Sequence, residues 1–364
     1  MGFVSLLFGK KNERRNLASN DSRIKYNLPS EREFVREQKK KKIGIKSALM
    51  EFAALNRGFS VKRLSEKIIL VNSRISFHNM NGEKSSRVGM YICDRKHDAR
   101  FILKQNGLAV VDSKRFYDDG YDQAIRYAQH LGFPVVVKPT NLARGRGITT
   151  NIQDLNELRV AWQKAFEAYR KKRSTNSVLI EKHFKGEDYR FFVVGDKVIS
   201  ATHRKRANVI GDGNSTVLQL IKNKNNERLK NPYLENYLIP VDIRQLDLLL
   251  KNNINLNDIP KKGELVLLRS QSNLSAGGDS IDVTESAHPD FHAIAIKAIQ
   301  SIPGIEYGGV DIITPDITIK PTESNYIVSE VEFSPAPLAH FPFIGERRDM
   351  AGAILDYYIE NTKN

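Results

Sequence analysis

The sequence predicts a mixed α/β chain built from several lobes. Three observations carry this. Short runs rich in β-branched and aromatic residues alternate with segments of helical period. Strands and helices are interleaved along the chain, which argues against one all-β unit. The length of 364 residues suits two or three lobes at about 150 residues each.

The elements read in order as follows. From Ser47, Ala48, Leu49, Phe52, Ala53 and Leu55 recur at helical spacing, and Gly58 can close that helix. Ile68–Val71 reads as a buried strand and Val88–Cys93 as a second extended segment. His97–Gln105 is helical and stops at Asn106-Gly107. Asp122–Leu131 is a helix closed by Gly132, and Phe133–Pro139 a strand. Leu155–Arg173 forms a long amphipathic helix with Leu158, Ala161, Trp162, Ala165 and Phe166 on one side. Val178–Glu181, Asp188–Val194 and Val198–Arg206 are strands. Residues 214–262, rich in Asn and Lys, read as an inserted helical segment. Leu265–Arg269, Gly309–Ile313 and Tyr326–Phe333 are strands; Phe291–Ser301 and Met350–Ile359 are helices.

Composition narrows the function. With 40% hydrophobic and 27% charged residues the chain is globular rather than disordered. No stretch of about 18 apolar residues exists, which excludes a spanning helix. The single cysteine, Cys93, excludes an intrachain disulfide and a cysteine-rich metal centre, and it suits a reducing, cytoplasmic setting.

The 57 Lys and Arg against 42 Asp and Glu give a net charge of +15. Residues 1–46 hold 13 Lys and Arg and 5 Asp and Glu, a net of +8, so the other 318 residues carry +7. We expect residues 1–46 to be a basic, flexible tail with a short helix near Glu31 to Lys40. Such a tail can contact an anionic surface, peripheral to a membrane, or an acidic partner. A solvated extension accounts for the same charge run. Nucleic acid is a weaker expectation, because the basic residues are not interleaved with stacking aromatics.

Several constellations carry chemistry. In Val135–Ile148 a buried strand delivers Lys138 to a loop in which Gly145 and Gly147 each follow an arginine. Glycines let backbone N–H groups turn toward phosphate, and the cations add charge. It is neither a Walker A loop nor a dinucleotide fingerprint. In Val178–Arg190 an apolar strand runs into a charged hinge containing Glu181, Lys182, His183, Glu187 and Asp188. A nucleotide base and ribose could be held there; from these residues alone a salt-bridged hairpin is the stronger reading. Glu330 and Glu332 share one face of a strand, and Asp311 lies mid-strand nearby. Carboxylates on an otherwise apolar strand need cations or a metal, and an all-oxygen set suits Mg²⁺. Arg269 ends a strand before the polar loop Ser270–Gly278 and can bind phosphate or carboxylate.

Assembled in this order, the chain resembles the ATP-grasp ligases, and in particular the ATP-grasp portions of cyanophycin synthetases and bifunctional glutathione synthetases. The stretches that carry the likeness are VVVKP, EKHFKGEDYRFFV, GDGNST, LRSQSNLSAGG, DVTESAHP, GGVDI and SEVEFSPAPLAHFP. The resemblance implies an ATP-grasp fold in which two β-lobes clamp ATP. It implies a small N-terminal α/β lobe over 47–130, a lid lobe over 131–206 and a large lobe over 207–364. It implies that Lys104 and Lys138 hold nucleotide phosphates, with Gly145 and Gly147 in the covering loop. Glu181, Lys182 and His183 match the adenine hinge, and Asp188, or Glu187, matches the ribose acid. Arg269 matches a transition-state arginine that acts with Lys104 and Lys138. Asp311, Glu330 and Glu332 match the metal acids, binding Mg²⁺ with Mn²⁺ as a substitute; Glu332 stands where the family usually carries Asn. Arg204, Arg206, Asn273 and His340 lie in stretches that line the substrate cleft. The implied reaction joins a small-molecule or peptide carboxylate to an amine through an acyl phosphate, and relatives often pair as homodimers. A nucleotide-binding scaffold without turnover is the alternative.

Overall fold

The computed structural model describes residues 26–140, 142, 146–169 and 173–361. Its first element is helix α1 (Glu31–Lys40). Ser30 starts it with a capping box: Glu33 N–H donates to the Ser30 hydroxyl, and Glu33 Oε2 accepts from Ser30 N–H at 3.0 Å. Glu31 and Glu33 in the first turn and Lys39 and Lys40 in the last complement the helix dipole. Phe34 and Val35 are buried, with the Phe34 ring 5.4 Å from that of Phe52 on α2 (Ile45–Asn56). Strands β1 (Val61–Arg63), β2 (Ile68–Val71), β3 (Ile75–His78) and β4 (Asn81–Gly82) form an antiparallel meander beside α2. The short helix expected near Glu31 to Lys40 is present, but the flexible tail expected over 1–46 fails over 31–46, where the helix is packed into the core. Residues 1–25 lie outside the described residues. The charge run hid the apolar set Phe34, Val35 and Ile43, which faces inward.

This gives a first test. Val35 is inaccessible to solvent. Val35→Ala should cost about 2 kcal/mol in denaturant unfolding; a free tail would show no change.

Helices α3 (Arg87–Asp94) and α4 (Lys96–Gln105) follow. The strand expected over Val88–Cys93 is helical instead. Ser86 caps α3 by accepting from Gly89 N–H at 3.0 Å, and Gly89 lies so close to Ile305 that a Cβ there would come within 2.6 Å. Tertiary contact thus overrides the β-branched signal.

The lid lobe is a four-stranded antiparallel sheet in the order β5 (Ser113–Tyr117), β8 (Ser177–Lys182), β6 (Val135–Pro139), β7 (Thr149–Ile152). Helices α5 (Tyr121–Leu131) and α6 (Leu155–Glu167) cover it through Ala124, Ala128, Leu158, Ala161, Trp162 and Ala165.

The large lobe is a five-stranded antiparallel sheet. Its order is β13 (Asp279–Asp282), β10 (Lys197–Lys205), β9 (Glu187–Val194), β14 (Tyr307–Thr314), β15 (Ile327–Glu332). Helix α9 (Pro289–Ser301) seals one face, burying Phe291, Ala295 and Ile299 against Phe191, Val193 and Val310. Helix α10 (Met350–Asn361) packs against α2 near the opposite face.

Two lobe boundaries move. Strands β9 and β10, expected in the lid, pair with β14 and β13 in the large sheet, so the division falls between Lys182 and Glu187 rather than at 206. Strand β5 and helix α5, expected in the N-terminal lobe, belong to the lid. Pairing partners far apart in sequence decide both, and no local pattern reports them.

The segment expected to be helical over 214–262 holds two helices. Helices α7 (Val217–Leu229) and α8 (Ile243–Lys251) lie between the paired strands β11 (Asn208–Ile210) and β12 (Leu265–Leu267). Its fully buried Arg228 donates to Tyr237 O, to Gly278 O and to Asp279 Oδ1.

Candidate functional site

The sheet face of the large lobe away from α9 carries a row of charges. Strand alternation puts Asp188 and Arg190 on that face of β9, and register sets Asp311 opposite both Arg190 and Glu330. A register shift after Asp311 re-aligns β15, and Glu330 and Glu332 stay on the same face. One oxygen from each of Asp311, Glu330 and Glu332 lies within 4.8 Å of the others.

Each acid also meets a cation. Arg190 grips Asp311 with Nε and Nη2, the latter at 2.8 Å, and reaches Glu332 with Nη1 at 2.8 Å. Arg204 donates to Asp188 at 2.6 Å and to Asp311 at 2.7 Å. Lys96, at the start of α4, pairs with Glu330. Burial pushes the Asp311 carboxyl up, but Arg190 and Arg204 outweigh it and hold it well below the ordinary carboxylate range. The donor set is oxygen only and anionic, which fits a hard divalent cation.

A second buried group faces it from the lid. Lys138 at the end of β6 lies 2.9 Å from Glu181 on β8. Arg100 of α4 pairs with the same carboxylate and also donates to Ser329 O on β15 at 3.2 Å. One helix side chain thereby ties lid to large sheet beside the acids. Burial and the neighbouring Arg100 push the Lys138 ammonium down to about 8, against the pull of Glu181.

The other expected residues divide. Lys104 stands outside this group, with a side chain 65% exposed and paired to Asp112 at 3.2 Å. Lys182 Nζ donates to Gly132 O at 2.8 Å, and His183 N–H to Pro134 O at 3.1 Å, so both brace the hinge. Asp188 shares the face of the acids and accepts from Ser272 Oγ at 2.6 Å. Glu187 lies on the opposite face with His203 and Arg206. Gly147 has φ of 71°, and a Cβ there would come 2.7 Å from Ala168 Cβ, so the loop needs glycine. Gly145 and Arg144 lie outside the described residues. Gln271 Nε2 donates to Ile148 O at 3.1 Å, joining this loop to the large lobe.

Three expectations fare differently. Arg269 forms a two-pronged pair with Asp242, both contacts at 2.7 Å, at the N-terminus of α8. Asn273 accepts from Ser275 N–H and Oγ and caps a short 3₁₀ turn. His340 does not line the cleft: it is 1% exposed. Its Nε2 accepts from Ala351 N–H at 3.1 Å, so Nδ1 carries the proton and donates to Glu31 Oε1 at 3.2 Å. His340 thus pins α1 to α10.

Arg347 also holds Glu31. Burial raises the Glu31 carboxyl, but bonds from Arg347 and His340 outweigh it and set it at about 2, against an ordinary value of 4.5. A depressed carboxyl stabilises fully above its unfolded pKa and loses that contribution as pH falls through the folded one. Unfolding followed from pH 5 to 2 should therefore show a loss of stability that Glu31→Gln removes in part.

Sequence reasoning missed Lys96, Arg100, Arg190 and Lys46. Lys96 and Arg100 are i and i+4 on one helix, a signal that was available. Lys46 reaches Ser334 O at 2.7 Å and Oγ at 2.9 Å, and it belongs to the segment expected to be tail.

Residues 94–219 match the family model described as carbamoyl-phosphate synthase L chain, ATP binding domain. The glutathione biosynthesis bifunctional protein of Clostridium perfringens is 34% identical over 278 residues, 75% of this chain and 35% of that protein. The chain belongs to the ATP-grasp family. A cyanophycin synthetase of Nostoc sp. is 31% identical over 321 residues, 85% of the ATP-grasp chain and 34% of the relative. The crystal structure of a bifunctional glutathione synthetase from Pasteurella multocida superposes with a TM-score of 0.66 and 26% identity, covering 87% of this chain and 44% of that one. The chain thus spans about a third of the length of these curated relatives. Among the described residues no helix is long and apolar enough to cross a membrane.

Proposed function

We propose that this ATP-grasp chain is a ligase that joins a carboxylate to an amine at the expense of ATP. The observation that carries the reading is the juxtaposition of two groups. Asp311, Glu330 and Glu332 share one sheet face, and Arg100 bonds Ser329 O beside them while pairing with Glu181 next to Lys138.

In this reading Lys138, Lys96 and Arg100 face the nucleotide phosphates, and Lys96 takes the place expected of Lys104. Asp311, Glu330 and Glu332 would hold Mg²⁺ or Mn²⁺, which supplies charge neutralisation between phosphate oxygens when bound. Asp188 orients the ribose side, and Arg204 faces the carboxylate substrate. A substrate carboxylate oxygen bonds to the γ-phosphorus while the bond to the bridging oxygen breaks and ADP leaves. The amine nitrogen then bonds to the acyl carbon, the carbon–oxygen bond to phosphate breaks, and the amine proton passes to solvent. Most of the rate comes from positioning and fixed charge, so no nucleophilic side chain is needed. Gly147 and Ile148, the latter tied to the large lobe by Gln271, would help exclude water from the acyl phosphate.

The test supplies ATP, Mg²⁺ and mixtures of carboxylic acids with hydroxylamine as a general acceptor. Hydroxamates detected by mass spectrometry, in step with ADP release, are expected. Tight ATP binding with no ADP release across all mixtures would point to a scaffold and sink the ligase reading.

A further inference from the structure

We infer that Arg190 is the resident counter-charge of the metal site, and that it makes entry of a divalent cation depend on the nucleotide. The inference rests on the reading of Asp311, Glu330 and Glu332 as metal ligands. Arg190 is buried on β9, in register with Asp311. Its planar fork spans both oxygens of Asp311 and one of Glu332, so a single side chain fixes two of the three acids. A lysine, a point charge, could not hold both in one geometry. The stem is confined as well: a Cβ on Gly309 would lie 2.9 Å from Arg190 Cδ and 2.9 Å from Pro335 Cβ.

Charge decides what can enter. Asp188, Asp311, Glu330 and Glu332 are matched by Lys96, Arg190 and Arg204, four carboxylates against three cations. A bare divalent cation meets a nearly neutral set and must displace ion pairs that are already formed. A metal–nucleotide complex brings phosphates that can take over Lys96, while Arg204 stays with Asp188 and Asp311. Arg190 remains with Asp311 and Glu332. Four carboxylates, two guanidiniums and one divalent ion then sum to zero. Arg190 is a positioning residue for the metal rather than a phosphate ligand.

Titration with Mn²⁺ alone, followed by electron paramagnetic resonance, tests this without turnover. The nucleotide-free wild type should show no saturable micromolar binding, and added ADP should create it. Arg190→Gln should bind Mn²⁺ without nucleotide roughly tenfold tighter or more, with Arg190→Lys between the two. Thermal unfolding checks that each variant is folded. Saturable micromolar binding by the nucleotide-free wild type overturns the inference even if Arg190→Gln does not fold. A folded Arg190→Gln with unchanged Mn²⁺ affinity also overturns it. Absence of Mn²⁺ binding even with ADP removes both this inference and the assignment of the acids as ligands.

Discussion

Lys96→Ala should lower ATP-dependent turnover by about 10²–10³-fold, the scale for removing one fixed charge or donor from a developing anion. Lys104→Ala should leave it within about twofold, because a surface pair is worth about 0–1 kcal/mol and screens readily. The two lysines lie on the same helix eight residues apart, yet their settings differ. Lys96 has a side chain 12% exposed and pairs with Glu330; Lys104 is 65% exposed and pairs with Asp112. The hydroxamate assay on both variants, with thermal unfolding as the folding check, separates them. Equal loss in the two, or loss in Lys104→Ala only, would return the phosphate role to the residue first expected from the sequence.

Glu181→Ala should be among the most destabilising single changes, at about 3–5 kcal/mol in denaturant unfolding. Glu181 is buried and holds two buried cations, Arg100 and Lys138. Removing it leaves both without their shared counter-charge in a largely desolvated setting. The control is Glu285, whose side chain is 82% exposed against Arg348. Glu285→Ala should cost about 0–1 kcal/mol. If Glu181→Ala matched Glu285→Ala, the buried pairing would be energetically idle. The same logic applies to Asp311, which holds Arg190 and Arg204. Asp311→Ala would couple loss of metal binding to loss of stability, so the cleaner probe is Asp311→Asn, which keeps the shape and one acceptor.

The acids were legible in sequence because alternation on Glu330 and Glu332 and the mid-strand Asp311 each break an apolar pattern, and such breaks need a partner. Lys138 was legible because it ends an unbroken apolar strand. Arg190 was hidden in the aromatic strand run Tyr189–Val194, where its neighbours explain the strand without it. Arg269 reads as a transition-state arginine and His340 as a cleft residue through the motifs they lie in, but motif membership does not report direction. The structure turns one toward Asp242 and the other toward Glu31.

By itself the sequence determined the mixed α/β class, most strands and helices, the shared face of Glu330 and Glu332 and the family likeness. These follow from local period, from apolar patterns and from residue types that chemistry needs. Only the tertiary structure decided three things. It put β9 and β10 in the large sheet, because strand pairing joins residues far apart in sequence, Arg190 with Asp311 and Thr202 with Asp282. It packed α1 into the core, because burial of Phe34 and Val35 outweighs the repulsion of a solvated charge run. It set Lys96 and Arg100 beside the buried acids and Lys104 at the surface with Asp112, because Lys96 and Arg100 lie on successive turns of α4, and a charge count along the chain has no direction.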